Sequence, residues 1–374
     1  MKEKKKLVFN DYVVFFDKCN FRCDYCLNKL RPNETDIWKQ TEQDVSKEVT
    51  TVCGKELVYE GDVKDIIERT VNQINEDIDT PILRISGGEI LAIKNIEEFF
   101  EKYHEKYEVI QIVTNGYYLV PTMVEKLKKL GNIHIHFSLD GHTLELNYYR
   151  VKTQVVQERL VNNLKACIDA RLNVEISSVL TNQNTMHFAS FLDYLLRYSN
   201  KLIVLPAPVR GGDFVQYFPT KEDVAGFYIV LDKYEQYRSI LPPKRYIIEL
   251  INFMEGKLRG TACHVPRVAI QSIENGAITP CPNGWTLQLG NVLAENRGEI
   301  AEKIGNSSIY NVLLQKRPRI KYCKECFTAY DVINLFFNNQ ITLEELCRFP
   351  LYASPRVYQR LVDIKKMYEQ SDIY

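Results

Sequence analysis

The chain has 374 residues, and 45% of them are hydrophobic, which is too large a proportion for a wholly disordered protein. Its 48 basic side chains are balanced by 48 acidic ones, so the composition gives no broad electrostatic footprint for nucleic acid. No apolar run approaches the roughly 18 residues that a membrane helix needs, and polar residues interrupt the run after the basic N-terminus. We therefore expect a soluble, cytoplasmic protein without a signal peptide and without nucleic-acid or membrane partners.

Strand and helix patterns alternate through the first 205 residues. Short apolar runs predict six strands, at 12–16, 82–85, 109–113, 133–139, 174–180 and 202–205. Helical patterns lie between them, at 62–78, 96–103, 121–130, 153–171 and 186–198, whereas 28–61 fits no pattern and reads as a loop insertion. This alternation predicts parallel strands with helices outside them, in an α/β fold of the partial (β/α)6 TIM-like barrel type. The chemistry is then expected at the carboxyl ends of the strands.

The pattern changes after about residue 260. Strand patterns at 269–273 and 277–279 flank Asn275 and Gly276, a pair that favours a two-residue hairpin turn. Short helices come after the hairpin, one of them at 354–368. We predict a barrel domain at 1–240, a small hairpin-plus-helix domain at 241–345 and a helical extension at 346–374.

Seven of the ten cysteines fall into two groups. The first group, Cys19, Cys23 and Cys26, places three thiols on one loop directly after a predicted strand. Three thiolates can hold three irons of a four-iron cluster and leave the fourth iron open. A structural zinc site prefers four protein ligands, so the alternatives here are chance clustering or a zinc site completed by a distant residue.

This loop resembles the signature of radical S-adenosylmethionine (SAM) enzymes, Cys-x-x-x-Cys-x-aromatic-Cys. The resemblance implies that the open iron binds the amino and carboxylate groups of SAM and that Tyr25 lies near its adenine. Ser86-Gly87-Gly88-Glu89 resembles the family's Gly-Gly-Glu motif for the methionine amino group. Glycine allows close approach of the backbone to a ligand, and a carboxylate suits an ammonium group.

Further matches with the same family lie at the ends of later predicted strands. Asn115 comes after the third strand, and Ser138 and Asp140 lie at the end of the fourth. In relatives similar to anaerobic sulfatase-maturating enzymes, the residues equivalent to Ser138 and Arg150 meet the cofactor carboxylate. A guanidinium is suited to that contact, and the alternative for Arg150 is a solvated helix arginine.

The second group is formed by Cys263, Cys281, Cys323 and Cys326. Its spacing resembles the twitch domain, a shorter relative of the SPASM extension of radical SAM enzymes. Four cysteines can ligate all four irons, which implies an auxiliary [4Fe–4S] cluster for electron transfer. A zinc site with four thiolates is the alternative.

Other residues carry weaker signals. Cys347 is a candidate hydrogen-atom donor or a packed thiol, whereas Cys53 and Cys167 are interpreted as buried. Arg210 and Asp213 come after the sixth strand and are our candidates for substrate contact, with a plain turn as the alternative. His134 and His136 face the same side of the fourth strand and are expected to be packed or hydrogen-bonded.

The resemblance implies reductive cleavage of SAM to a 5′-deoxyadenosyl radical and hydrogen abstraction from an unactivated C–H bond, with a flavodoxin- or ferredoxin-type reductant. The favoured substrate is a hydroxylated small molecule of the sugar or aminocyclitol type, dehydrogenated or epimerised by an oxidoreductase or epimerase. The alternative is a peptide, epimerised or cross-linked during maturation. A non-catalytic iron–sulfur or zinc protein is the rival from another class.

Overall fold

The computed structural model describes residues 3–14, 18–26, 62–198, 202–210, 212–274, 276–282, 284, 287–294, 299–318 and 321–370. The predicted loop insertion with Cys53, and Asn275 of the hairpin turn, lie outside these residues.

The strands of the described segments are, in chain order, β1 (Lys5–Lys6), β2 (Phe9–Val14), β3 (Ile78–Asp79), β4 (Ile82–Gly87), β5 (Val109–Thr114), β6 (Ile133–Ser138), β7 (Asn173–Leu180), β8 (Leu202–Pro208), β9 (Ala269–Ile273), β10 (Ala277–Thr279) and β11 (Gly290–Asn291). The α-helices of the same segments are α1 (Val63–Asp77), α2 (Ile96–Tyr103), α3 (Pro121–Lys129), α4 (Gln154–Asp169), α5 (Phe188–Leu196), α6 (Lys221–Asp232), α7 (Tyr234–Tyr237), α8 (Lys244–Met254), α9 (Val265–Val268), α10 (Ile300–Lys303), α11 (Ser308–Leu313), α12 (Lys321–Lys324), α13 (Asp331–Phe337), α14 (Leu343–Leu346) and α15 (Pro355–Gln370).

One large sheet organises the fold. Within the described residues it contains nine strands in the order β11-β10-β9-β2-β4-β5-β6-β7-β8. The six strands from β2 to β8 are all parallel to their neighbours, and helices α1 to α5 connect them in sequence. The predicted α/β fold with a partial TIM-like barrel is therefore confirmed.

The first strand of this sheet carries polar residues into the interior. All six residues of β2 are buried, because β4 lies on one side of it and β9 on the other. Asn10 accepts a hydrogen bond from the hydroxyl of Ser272 at 2.7 Å, and Asp11 forms an ion pair with Arg84 at 2.9 Å. Buried polar groups need such partners, so β2 has a fixed position between two neighbours.

The C-terminal third is continuous with the barrel. The predicted hairpin is present as β9 and β10, which pair antiparallel, but β9 also pairs in parallel with β2, so the hairpin extends the large sheet. Tyr246 of α8 and Phe337 of α13 belong to the same hydrophobic core as the barrel strands. The domain limits at 240 and 345 and the twitch assignment stay predictions. No helix among the described residues is long and apolar enough to cross a membrane.

Candidate active site

The cysteine loop is held against the end of β4 by a close backbone contact. The backbone N–H of Glu89 donates to the carbonyl oxygen of Lys18 at 2.7 Å. A Cβ on Gly88 would lie 1.8 Å from this same oxygen, and a Cβ on Gly87 would lie 1.8 Å from the carbonyl oxygen of Val14. The two glycines therefore let β4 approach the chain on both sides of the segment that leads into Cys19.

Hydrogen-bond donors surround the first thiol. The backbone N–H of Phe21 donates to Sγ of Cys19 at 3.4 Å, and Nδ2 of Asn115 lies 3.9 Å from the same sulfur. Burial raises the pKa of Cys23 to about 11, with the nearby positive charge of Arg150 opposing this effect. Burial also raises the pKa of Cys19, whereas the donors at its sulfur oppose the rise and favour the thiolate, which is the form that binds iron.

Glu89 joins the ends of two neighbouring strands. Its buried carboxylate accepts hydrogen bonds from the Thr114 hydroxyl at 2.7 Å, the Asn115 backbone N–H at 2.7 Å and the Leu91 backbone N–H at 3.1 Å. Burial raises the pKa of this carboxyl to about 7, although the three donors oppose the rise. Glu89 thus fixes the loop after β5 that carries Asn115 next to Cys19, a role that the sequence motif did not indicate.

Asp140 is the centre of a second buried network. Its carboxylate accepts a hydrogen bond from the Tyr25 hydroxyl, two from Arg150 at 3.1 and 3.3 Å, and one from the backbone N–H of Val179 at 2.8 Å. The guanidinium of Arg150 also lies 5.6 Å from the centre of the Tyr25 ring. The structure therefore brings Tyr25, Asp140 and Arg150 together beside Cys23, and Arg150 is buried rather than solvated.

Ser138 is the last residue of β6, where it pairs with Ser177 of β7. It lies two residues before Asp140 and is half-buried. The six predicted SAM-binding side chains thus fall into two sets, with Glu89 and Asn115 around Cys19, and Tyr25, Asp140, Arg150 and Ser138 at the ends of β6 and β7.

The second cysteine group also gathers in space. Mutual electrostatic repulsion with Cys281, Cys326 and Cys263 adds to burial in raising the pKa of Cys323 well above its usual value. Nδ2 of Asn334 lies 3.8 Å from Sγ of Cys263, so this thiol also has an N–H donor. Within the described residues, no three Cys, His, Asp or Glu side chains converge on the position of one metal ion. Four thiolates can ligate either a four-iron cluster or a zinc ion, so the auxiliary cluster stays a prediction.

A polar cavity of about 270 Å³ lies inside the barrel. It is lined by Asp11, Val13, Arg84, Ser86, Gly87, Val113, His136, Ser177, Val179, Ala207, Pro208, Arg210, Gln271, Pro282, Thr328, Ala329 and Tyr330. Arg210 is among these residues, and its contact with a substrate stays a prediction. Asp213 lies in a 3₁₀ turn, Gly212–Tyr217, and its side chain is outside the described part of the molecule.

Several residues at this cavity were not predicted from the sequence. Asp11 forms an ion pair with Arg84 and accepts a hydrogen bond from the Tyr330 hydroxyl at 2.7 Å. His136 contacts Glu175 across β6 and β7 at 2.5 Å, so it is hydrogen-bonded as expected, and His134 contacts Asn173 at 2.9 Å. The sequence signal that could have identified these residues is a charged residue in the middle of an apolar strand, because a charge is buried there only with a partner.

A family comparison supports the same region. The radical SAM superfamily model matches residues 13–195, which include the cysteine loop and the ends of β4, β5 and β6. Residues 13–195 form a radical SAM domain. This match agrees with the resemblance carried by the cysteine loop and the Gly-Gly-Glu motif.

Curated relatives match about half of this chain. A GTP 3′,8-cyclase of Sulfurovum sp. (strain NBC37-1) is 26% identical over 188 residues, which cover 50% of this chain and 51% of the relative. A probable GTP 3′,8-cyclase of Methanocaldococcus jannaschii is 25% identical over 215 residues, covering 57% of this chain and 60% of the relative. The matches therefore span about half the length of these curated relatives.

Solved structures match over more of the chain. A structure of anSMEcpe with bound AdoMet covers 94% of this chain and 99% of its own, with a TM-score of 0.54 and 15% identity. Streptococcus suis SuiB bound to S-adenosylmethionine covers 79% of this chain and 65% of its own, with a TM-score of 0.53 and 14% identity. At these identities the likeness concerns the fold alone.

Two remaining cysteines lie away from the cavity lining. Cys167 is fully buried in α4, as expected. The thiol of Cys347 donates to the carbonyl oxygen of Tyr352 at 3.4 Å and is not among the residues that line the cavity. A role for Cys347 as a hydrogen-atom donor to a radical SAM reaction stays a prediction.

Proposed function

We propose that this chain is a radical SAM enzyme whose substrate binds in the polar cavity of the barrel. The observation that carries the proposal is the position of this cavity. Ser86 and Gly87, which precede Glu89, line one part of it, and Pro282, Thr328 and Ala329 line another. Pro282 comes directly after Cys281, and Thr328 lies two residues after Cys326. A substrate in the cavity is therefore within reach of both cysteine groups.

The donor sets fit the cofactors of this family. Cys19, Cys23 and Cys26 are proposed to hold a [4Fe–4S] cluster with one iron open to SAM, and Cys263, Cys281, Cys323 and Cys326 an auxiliary [4Fe–4S] cluster. The fit rests on the N–H donors at Cys19 and Cys263 and on the mutual proximity of the thiols. Bound there, the cluster and SAM supply a 5′-deoxyadenosyl radical that takes a hydrogen atom from the substrate.

The residues around the first cluster are proposed to position SAM. Arg150 is fixed by Asp140, and the Tyr25 ring is fixed by the hydrogen bond from its hydroxyl to the same carboxylate. A guanidinium in a fixed orientation binds a carboxylate at little entropic cost, because it is ordered before the ligand arrives. The opposite side of the proposed SAM site is formed by Gly87, Gly88, Glu89, Asn115 and Ser138.

The charged and polar side chains at the cavity suit a hydroxylated small molecule of the sugar or aminocyclitol type. Asp11, Arg84, His136, Arg210 and Gln271 are among the residues that line it. Carboxylate and amide oxygens accept hydrogen bonds from hydroxyl groups, and guanidinium groups donate hydrogen bonds to them.

The paired side chains of His136 and Glu175 suit the reaction types that we propose. The carboxylate of Glu175 orients the imidazole through Nδ1, which leaves Nε2 as the other ring nitrogen of a residue that lines the cavity. Dehydrogenation of an alcohol releases a proton after the hydrogen atom is lost, and an oriented imidazole can accept it. The same oxidation also releases one electron, for which a cluster held by Cys263, Cys281, Cys323 and Cys326 would be an acceptor.

A peptide is the second candidate substrate, and a neighbouring groove favours it. This groove of about 400 Å³ shares Arg210 with the cavity and is lined by the apolar side chains Val209, Phe214, Val215, Phe218, Phe253 and Leu258. The side chains of Val215 and Leu258 are strongly exposed, at 73% and 58%. An apolar groove that opens beside a polar cavity can hold the flanking residues of a peptide.

The first experiment concerns cofactor cleavage. The purified protein is reconstituted anaerobically with iron and sulfide, reduced with dithionite and given SAM, and 5′-deoxyadenosine is measured. The variant with Cys19, Cys23 and Cys26 replaced by alanine should form none, yet retain about half of the iron, because a second cluster remains. Zinc in place of iron, with no 5′-deoxyadenosine, is the result expected of a non-catalytic zinc protein and contradicts the proposal.

The second experiment identifies the substrate class. Perdeuterated aminocyclitols and sugars, deuterated GTP and a deuterated hydrophobic peptide are each added to the reduced enzyme with SAM. Transfer of deuterium to 5′-deoxyadenosine from a polyol supports the favoured substrate, whereas transfer from the peptide supports the second candidate. GTP is included because the curated relatives are GTP 3′,8-cyclases. The reductant is supplied as flavodoxin or ferredoxin in a parallel assay.

A further inference from the structure

Arg259 is buried beside the auxiliary cysteines and is fixed by three contacts to their loop. Its guanidinium donates to the carbonyl oxygen of Cys326 through Nε at 3.1 Å and through Nη2 at 2.8 Å. Its backbone N–H donates to the carbonyl oxygen of Lys324 at 2.8 Å. Only 8% of the side chain is exposed. A buried cation requires compensating negative charge or hydrogen-bond acceptors nearby, because removal of its hydration is costly.

Asp331 supplies one partner of the buried charge. It forms an ion pair with Nη2 of Arg259, accepts the backbone N–H of Thr328 at 2.7 Å and accepts Nδ2 of Asn334 at 3.0 Å. Asn334 in turn directs Nδ2 towards Sγ of Cys263 at 3.8 Å. One continuous network therefore connects Arg259 and Asp331 to the first and last auxiliary cysteines.

The cation of this pair is the end that contacts the auxiliary cysteine loop at a cysteine. Nε and Nη2 of Arg259 both donate to the carbonyl oxygen of Cys326, whereas Asp331 contacts the loop at Thr328, two residues further on. The positive charge is therefore held beside an auxiliary cysteine. A four-iron cluster with four thiolates is an anion that gains one negative charge on one-electron reduction, so a fixed cation beside it favours the reduced form.

We propose that Arg259, positioned by Asp331, raises the reduction potential of the auxiliary cluster and thereby makes it an electron acceptor. The inference rests on the proposed function, because it requires a cluster at Cys263, Cys281, Cys323 and Cys326. Arg259 acts through the cluster and is a positioning residue. The electron that a substrate radical releases on oxidation would reduce this cluster by one electron.

The test is a potentiometric titration with dithionite, monitored by electron paramagnetic resonance, in the background with Cys19, Cys23 and Cys26 replaced by alanine. In that background the auxiliary cluster gives the whole signal. Arg259→Met removes the charge, and the equilibrium constant for one-electron reduction should fall at least tenfold, equivalent to about 59 mV. Arg259→Lys retains the charge and should restore most of the potential. Asp331→Asn removes the opposing anion and should raise the potential.

Arg245→Met is the matched control, because Arg245 forms a more exposed pair with Glu249 on α8. It should leave the potential unchanged. Equal shifts in Arg259→Met and Arg259→Lys, or an unchanged potential in Arg259→Met, would overturn the inference. If Arg259→Met loses the cluster, Asp331→Asn decides, and a potential that is unchanged or lowered there contradicts the inference. Absence of iron from the background variant itself would overturn the auxiliary cluster and so the proposed function of this site.

Discussion

The hydroxyl of Tyr25 donates a hydrogen bond to the carboxylate of Asp140, although the two residues lie 115 positions apart in the sequence. This bond connects the cysteine loop after β2 to the end of β6. The same carboxylate pairs with Arg150, so the position of the aromatic ring and that of the guanidinium depend on one buried anion.

Asp140→Asn should therefore weaken both the fold and the cofactor site. The buried guanidinium of Arg150 would lose its counter-charge, which typically costs about 3–5 kcal/mol in the free energy of unfolding. We expect a lower urea midpoint and weaker SAM binding, measured by equilibrium dialysis on the reconstituted protein. Glu97→Gln is the control, because its pair with Lys126 is half-exposed and should contribute less than about 1 kcal/mol. Equal effects of the two substitutions would contradict the role of Asp140.

Gly88→Ala should displace the cysteine loop. The added Cβ would lie 1.8 Å from the carbonyl oxygen of Lys18, a backbone atom that cannot move without the loop. We expect loss of about half of the iron per chain after reconstitution, with the circular dichroism of the fold retained. Gly260→Ala is the matched control, because a Cβ there meets no atom within 4 Å. Full iron content in Gly88→Ala would show that the close contact does not set the loop position.

Glu89→Gln tests the connection between the strand ends. In this variant the amide NH₂ of glutamine faces one of the three groups that now donate a hydrogen bond to the carboxylate. Two buried donors that face each other lower the free energy of unfolding by about 1–3 kcal/mol. We expect lower thermal stability and slower formation of 5′-deoxyadenosine. Thr114→Val removes one of the three donors alone and should have the smaller effect on both measurements. A Glu89→Gln variant with the stability and activity of the parent protein would exclude this role.

His134→Gln should reduce the loss of stability in acid. Burial lowers the pKa of His134 to about 4, below the ordinary value of 6.5, so between these values the unfolded chain binds a proton that the folded chain does not. Stability is therefore lost as the pH falls from 6.5 towards 4, by about 2 kcal/mol at pH 5. Glutamine keeps an acceptor for Asn173 and does not titrate.

The measurement for His134 compares urea midpoints at pH 7.5 and pH 5.0. The urea midpoint should fall less between pH 7.5 and pH 5.0 in His134→Gln than in the parent protein. His187→Gln is the control, because that imidazole is exposed at the start of α5. A fall of the urea midpoint in His134→Gln equal to that of the parent protein would contradict the lowered pKa of His134.

Much of the fold could be predicted from local pattern alone. The six parallel strands and the helices between them were predicted because period-2 and period-3.6 apolar patterns reflect burial on a sheet and on a helix face. Pro121 marked the start of α3, and the pair Asn275-Gly276 marked the turn between β9 and β10. The pairing of β9 with β2 could not be predicted, because it depends on contacts between residues about 260 positions apart.

The cysteine spacing indicated the first iron–sulfur site because its three thiols lie on one loop and are neighbours in any fold, whereas the second group was predicted only from its resemblance to the twitch domain. Only the tertiary structure placed Asp11, Arg84, His136 and Gln271 around one cavity, and only it showed that Glu89, which follows β4, accepts hydrogen bonds at the end of β5. These contacts join residues on different strands, and a charge inside an apolar strand indicates burial without naming its partner. The sequence by itself therefore determined which radical chemistry the chain resembles. The packing of distant strands decided which polar groups line the cavity inside the barrel.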